Sequence, residues 1–351
     1  MGTHPSAAVP LLFRLFFLLL LLPSAAPRCG AGERAGEAPL LLLRNGGRVA
    51  GIEAGAGGRV VLFRLEEGAN VLDGRPALWG DRTPADAPPG AWKQYYGESV
   101  WTSPQAAWWT DREPFPPRTK PANVWPGQWP PDPAWEMAPY EVVERSASRV
   151  VLRSRPSALN GLELVRTVEL LPDGKLRLAA EARNTGAQPV ARGLWMIARV
   201  PPAARLFLPQ AGLVPDKGLP AAARVAREAG LTVVTPTPEA GKGKSLWASP
   251  GGKISGPAAA HEGWMAAATH EAFFVIRFAP PDAALVAPGH APVEVFVRAE
   301  PEPIVEVEAQ GALREIPPGG AARFEETWEI VPNPGLDTVA EQARFLKGRF
   351  P

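Results

Sequence analysis

At 351 residues the chain is long for one average domain, yet a single large β-sandwich or barrel reaches this size, so length alone requires no second core. Lys plus Arg number 37 against 36 Asp plus Glu, which leaves no global field to draw nucleic acid or an anionic membrane surface, and no basic stripe stands out locally. A single cysteine excludes an internal disulfide.

The chain opens MGTHPSAAVPLLFRLFFLLLLLPSAAPRCGAG, with basic Arg14, an unbroken apolar core over 15–22 and then small residues. That core is too short to span a bilayer and has the shape of a secretory signal peptide. The expectation is export to the periplasm or beyond, with residues 1–31 as signal, 32–38 as linker and 39–351 as one domain. Cleavage after Ser24-Ala25-Ala26 and after Cys29-Gly30-Ala31 both remain open. Cys29 stands where a lipoprotein is acylated, although Ala26-Pro27-Arg28 matches that signal poorly.

Apolar runs over 40–44, 49–53 and 59–65, separated by Asn-Gly-Gly and Gly-rich turns, predict an antiparallel meander. Strands are next expected over 140–143, 149–155, 162–170 and 176–183. The last two are joined at Pro172-Asp173-Gly174, where Pro presets φ and Gly accepts a positive one. Further strands are expected over 190–200, 205–208, 231–235, 245–248, 264–268, 273–278, 293–298, 304–309 and 322–330. So many short strands with so little helix between them exclude a βαβ wind and predict an all-β fold, a large antiparallel β-sandwich. One helix is expected at the C-terminus, LDTVAEQARFLKGRF, with Thr338 and Glu341 as a capping box and Val339, Ala343 and Leu346 on one stripe. A second possible helix, short and Ala/Arg-rich, covers 221–229, and nothing is rested on it.

Between the first and second groups of strands, residues 79–135 hold eight of the twelve Trp and two of the three Tyr among many Pro and Gly. No helical or strand period runs through them, so they read as a long loop insert. Disordered segments are poor in aromatics, which points to a functional loop. Rings interrupted by Glu98, Ser99, Gln105, Asp111, Asn123, Gln128 and Asp132 have the composition of a carbohydrate site: indoles stack on a sugar's apolar face while amides and carboxylates bond its hydroxyls. Trp101, Trp108, Trp109 and Trp129 are expected to stack, and Glu98, Gln105, Asp132 and Lys253 to supply hydrogen bonds. The other reading of the same rings is a lid sealing one end of the β-fold.

Apparent cofactor and metal motifs do not hold. GAGERA over 30–35 follows the leader and not a strand, and Gly243-Lys244-Ser245 lacks the glycine a phosphate loop needs, since Pro238 stands there. His261-Glu262 and His270-Glu271 have no second histidine three residues on. No cofactor and no metal site is therefore read. Glu306 and Glu308 in PIVEVEAQG share one face of a strand, either as a general base on a concave face or on a solvated face beside Glu300 and Glu302. Projecting from one side of one strand, they do not flank a glycosidic bond as an acid and nucleophile pair.

The succession GGRVVLFRLEEGANVL, YGESVWTSPQAAWW, WPPDPAW, LPDGKLRLAAEARNTGAQPVARGLW, KISGPAAAHEGWMAAATHEAFFVIRF and VEVEAQGALREIPPGGAARFEETWEI, across residues 40–330, resembles the galactose-mutarotase-like (aldose 1-epimerase-like) β-supersandwich group. The likeness is greatest to a bacterial branch of unknown function. The resemblance implies a sugar-binding concave face, a Glu acting as base at the anomeric hydroxyl and a His acting as acid at the ring oxygen. By it, Glu306 or Glu308 corresponds to that Glu, with the register open. After NTGAQPVARG, where such epimerases place the His, this chain has Leu194, Trp195 and Met196. Tryptophan cannot donate a proton near neutral pH, so binding is favoured over turnover, with Trp195 and Trp264 among the ligand contacts. The expected function is an exported carbohydrate-binding protein with a saccharide ligand. The alternatives are a sugar epimerase or polysaccharide-acting enzyme using Glu306 or Glu308 as base, and a non-catalytic cell-envelope protein.

Overall fold

The computed structural model of the chain describes residues 1–2, 39–81, 93–108, 131–209, 214–215, 222–237, 252–255, 263–298 and 302–350. The expected leader, Cys29, Trp109, Trp129, His261 and the strand expected over 245–248 lie outside them. Ala35–Pro351 form one compact unit.

Strands β1 (Leu41–Asn45), β2 (Arg48–Glu53) and β3 (Arg59–Leu65) make the expected meander as a three-stranded antiparallel sheet. A second sheet has ten strands, in spatial order β12 (Ala223–Glu228), β13 (Leu231–Pro236), β10 (Arg205–Leu208), β15 (Trp264–Ala268), β16 (Ala272–Phe278), β20 (Ala321–Pro332), β8 (Leu176–Asn184), β7 (Leu162–Leu170), β6 (Arg149–Arg153) and β5 (Glu141–Arg145). A third runs β11 (Val214–Pro215), β14 (Gly252–Ser255), β17 (Val293–Arg298), β18 (Ile304–Gln310), β9 (Val190–Arg199) and β19 (Arg314–Ile316), with β4 (Glu98–Ser103) also paired to β9.

Side-chain alternation explains the layering. In LELVRTVEL and LRLAAEARN, β7 and β8 bury every second residue and turn the others outward, the pattern of strands with one wet face. Their inward residues, with Phe274, Ile276, Trp328 and Ile330 of the same sheet, share one core with Met196, Ala198, Val295, Val305 and Val307 of the third. In β4 and β18 every residue is buried, so both faces of that sheet are covered. At the hairpin tips, Gly46 (φ 52°) meets Gly174 (φ 82°), and a Cβ added at Gly46 would lie 2.5 Å from the Gly174 backbone nitrogen. Only glycine allows that approach.

Two local expectations are corrected. Residues 221–229 supply β12 and not a helix, because pairing along the edge of β13 overrides an Ala/Arg-rich helical propensity. The stretch 79–135 is not loop throughout: ESVWTS forms β4, and Pro133–Glu136 form a single-turn helix, α1.

The C-terminal helix α2 (Val339–Arg349) forms as expected, Thr338 and Glu341 making the reciprocal capping box. Ala343, Leu346 and Phe350 cover the outer side of the ten-stranded sheet at Phe207, Val233, Trp264 and Phe273. Thr338→Ala is expected to lower unfolding free energy by about 1 kcal/mol in urea titration, with Thr338→Ser near wild type; equal loss in both variants would assign the effect to packing. Among the described residues no helix is long and apolar enough to cross a membrane.

Candidate functional site

Strand parity divides the functional candidates between two faces of the third sheet. Along β9, Met196 and Ala198 enter the core between the sheets, so Trp195, Ile197 and Arg199 project from the opposite face. Cross-strand register adds Ser99 and Trp101 from β4, opposite Ile197 and Trp195, and Glu306, Glu308 and Gln310 from β18, opposite Arg199, Ile197 and Trp195. Aromatic and acidic side chains thus converge on one side of three adjacent strands.

The indoles form a closed cluster. Trp101 meets Trp195 edge to face with centroids 5.1 Å apart, and Trp108, from the turn after β4, meets Trp101 edge to face at 5.4 Å. All three are buried, and each ring nitrogen has an acceptor. Trp195 Nε1 donates to Glu308 Oε2 at 2.8 Å, Trp101 Nε1 to Glu136 Oε2 at 2.8 Å and Trp108 Nε1 to the Thr102 carbonyl at 2.7 Å. Glu136, at the end of α1, also faces Arg59 Nη2 at 3.1 Å, and both side chains are inaccessible to solvent. Such indoles offer edges and hydrogen-bonded rims to one another, as aromatic pairs prefer.

Glu306 and Glu308 are not on a solvated face: they are 8 % and 1 % exposed. Glu306 Oε1 lies 2.9 Å from Arg199 Nε, and the Arg199 guanidinium stands 5.5 Å from the Trp101 ring centroid. His290, from the turn before β17, meets the Trp195 ring edge on at 4.8 Å. Its Nε2 accepts from the Gln105 backbone N–H at 3.0 Å, while Nδ1 lies 3.2 Å from Gln310 Nε2 and 3.5 Å from Glu294 Oε1.

Other sequence candidates sit elsewhere. Glu98 is three residues before Trp101 on β4 and therefore points the other way, into the sandwich, where both its oxygens accept from Arg166 Nη2 at 2.7 and 2.6 Å. Its carboxylate stabilises the core and does not face the indoles. Asp132 caps α1 through the Ala134 N–H at 2.9 Å and accepts from the Ser157 hydroxyl; burial raises its pKa. Trp264 lies on the ten-stranded sheet under α2, 5.7 Å from the Phe350 ring, remote from the third sheet's aromatic face. Lys253 is on β14 opposite Phe296, its side chain outside the described set. Gln105 reaches the site through its backbone N–H.

Arg199, Glu136, His290 and Gln310 were not singled out from sequence. Arg199 had a usable signal, being four residues from Trp195 on one strand and so on the same face. Glu136 and His290 come from a short helix and a turn, where no period reports direction. A separate groove of about 240 Å³, lined in part by Leu65, Asn70, Thr269, His270 and Glu271, lacks this convergence of rings and acids.

A family model described as a domain of unknown function (DUF4380) matches residues 41–331. The chain belongs to that family. No match is found among curated proteins. Among solved structures, this DUF4380 chain is similar to the Slr1438 protein from Synechocystis sp. PCC 6803, at 12 % identity and TM-score 0.52, over 84 % of this chain and 96 % of that one. It is also similar to a galactose mutarotase-like protein from Lactobacillus casei ATCC 334 (11 %, TM-score 0.48, 83 % and 100 % covered) and a galactose mutarotase related enzyme from Lactobacillus acidophilus (11 %, TM-score 0.46, 86 % and 99 % covered). The antiparallel β-sandwich is the fold this DUF4380 chain shares with the Slr1438 protein. At such identities the likeness concerns fold alone.

Proposed function

We propose that this is an exported saccharide-binding protein whose site lies on the face of β4, β9 and β18 that carries Trp101, Trp195, Arg199, Glu306 and Glu308. The observation that carries the reading is the convergence of indoles and carboxylates on one side of three hydrogen-bonded strands. Apolar ring faces beside fixed hydrogen-bonding groups are what a pyranose, apolar on its faces and polar at its rim, requires. The apolar segment over 15–22 supports export.

Titration of the purified protein with mono- and oligosaccharides, read by intrinsic Trp fluorescence, is expected to give a saturable change that Trp195→Phe diminishes. No saccharide-dependent change at millimolar concentrations, together with a lower melting temperature for Trp195→Phe, would leave the indoles as a seal and remove the binding reading.

A second reading, a sugar epimerase, is favoured by one observation: Glu308 and His290 both contact the Trp195 indole, so an acid–base pair could address a ligand from one ring. Polarimetry on freshly dissolved aldoses separates it from binding, since wild type and a Glu306→Gln, Glu308→Gln double variant must differ in rate if these carboxylates take part.

A further inference from the structure

The groove of about 240 Å³ shares no lining residue with the indole face. It opens between the turn that follows β3 and the turn joining β15 to β16, over an apolar floor of Leu65, Val71, Ala272 and Ile330, the last three buried. Hydrogen bonds hold both walls and consume their polar atoms. Asn70 Oδ1 accepts from the Phe63 and Leu72 N–H groups at 2.9 and 3.2 Å, and its Nδ2 donates to the Val61 carbonyl at 2.8 Å. Thr269 Oγ1 donates to the Ala272 carbonyl at 3.0 Å and accepts from the Ala272 N–H at 3.1 Å. The walls meet where the Ala69 N–H donates to Glu271 Oε2 at 3.1 Å.

What remains unspent is acidic. Among the described residues Glu271 Oε1 has no hydrogen-bond partner, and no Lys or Arg pairs with that carboxylate. The adjoining His270 places its Nδ1 3.6 Å from Oδ1 of a second carboxylate, Asp337. Arg48 donates to the Ile330 carbonyl at 3.4 Å but lines no part of the groove. The rim thus offers an acceptor and negative charge above an apolar trough.

These groups decide the ligand class. No aromatic ring lines the groove, so it provides neither a stacking surface for a sugar nor a cage for a quaternary ammonium. No Lys or Arg lines it either, which leaves a phosphate or carboxylate without a counter-ion. An apolar trough ending at a free carboxylate oxygen suits an apolar body that carries a primary ammonium, whose N–H groups donate to that oxygen. Pockets for drug-sized ligands start at roughly 300 Å³, so the body here is smaller, a single ring or a short branched chain. We propose that the groove binds small primary amines with an aryl or branched-alkyl body, Glu271 reading the ammonium and Leu65, Val71 and Ile330 the body. This second site does not rest on the saccharide reading.

The test is ligand-observed NMR titration of the purified protein, at one fixed pH and low salt, with 2-phenylethylamine, 2-phenylethanol, 3-phenylpropionate and benzyltrimethylammonium. The amine is expected to bind in the millimolar range and about fivefold tighter than the alcohol, the scale of one exposed ion pair, with the carboxylate and the quaternary ion weaker still. Raising salt to about 1 M should shrink that preference. Glu271→Gln, whose amide oxygen can still take the Ala69 N–H, is expected to bring the amine down to the alcohol's affinity. Ala69→Leu, at an exposed position on the rim, should weaken every probe by filling the groove. Equal affinities for amine and alcohol, a preference that survives in a folded Glu271→Gln protein, or binding unaltered by Ala69→Leu would overturn the site, as would silence of the amine at millimolar concentration. Melting temperatures separate these effects from loss of fold, and if Glu271→Gln fails to fold, the wild-type comparison of amine and alcohol at both salt levels decides alone.

Discussion

Arg166→Met is expected to cost on the order of 3 to 5 kcal/mol of unfolding free energy, measured by urea titration, because it strands the Glu98 carboxylate in the core. Both partners are almost wholly buried, Glu98 at 0 % and Arg166 at 1 %, and the guanidinium also donates to the Gly58 carbonyl at 2.7 Å. Removing one charge exposes the other to an uncompensated desolvation penalty, whereas removing both leaves only apolar contact to be rebuilt. The Glu98→Gln, Arg166→Met double variant should therefore recover much of the loss, and a double-mutant cycle reads the coupling directly. Additive single losses would show that the two residues matter for packing and not as a pair.

Stability should also fall as pH rises, through one buried acid. Glu326 lies in the same interior, its Oε2 accepting from Trp328 Nε1 at 2.7 Å, and its pKa is pushed up to about 8 from an ordinary 4.5. Burial is the main cause; the nearby Glu98 charge adds to it, while the Trp328 hydrogen bond and Arg166 oppose it. A folded-state pKa above the unfolded one means the native protein holds a proton that the unfolded chain has released. The associated stability is complete below pH 4.5 and is lost on the way through pH 8, a change on the order of 4 kcal/mol. Urea midpoints at pH 5 and pH 8.5 should separate in the wild type and draw together in Glu326→Gln, which keeps the shape without the titration. Parallel pH profiles for the two proteins would refute the assignment. Because Arg166 faces both acids, Arg166→Met should steepen the wild-type trend.

The fold was legible wherever one face of a strand is wet. LELVRTVEL and KLRLAAEAR alternate because β7 and β8 expose every second residue, and the turn between them carries the glycine its geometry requires. Legibility failed at β4, although β18, equally covered on both faces, was expected over 304–309. ESVWTS shows no period because Glu98, Ser99, Val100 and Trp101 are all buried, the three polar ones each on a different partner, so β4 was read as loop. Missing that strand also misdirected Glu98, whose parity with Trp101 would have sent it into the core. The paired indoles and acids were foreseen as types of residue. Their partners were not, since Glu136, His290 and Arg59 reach the face from segments whose approach only the folded chain determines. Trp264 shows the converse error: an aromatic residue within a family-like stretch is assigned to a ligand when the opposite sheet and α2 have already claimed it.

The pairing of β4 with β9 has a consequence for anyone wishing to trim the chain. Residues 79–135 look like a detachable decoration, and excising them is the obvious route to a minimal sandwich. Yet the excision would remove one of the two neighbours that flank Trp195, Ile197 and Arg199, and Glu98 with it, leaving the Arg166 cation without its counter-ion. The shortened protein would lack a wall of its third sheet as well as its candidate site, so the aromatic segment belongs to the architecture as much as to any ligand.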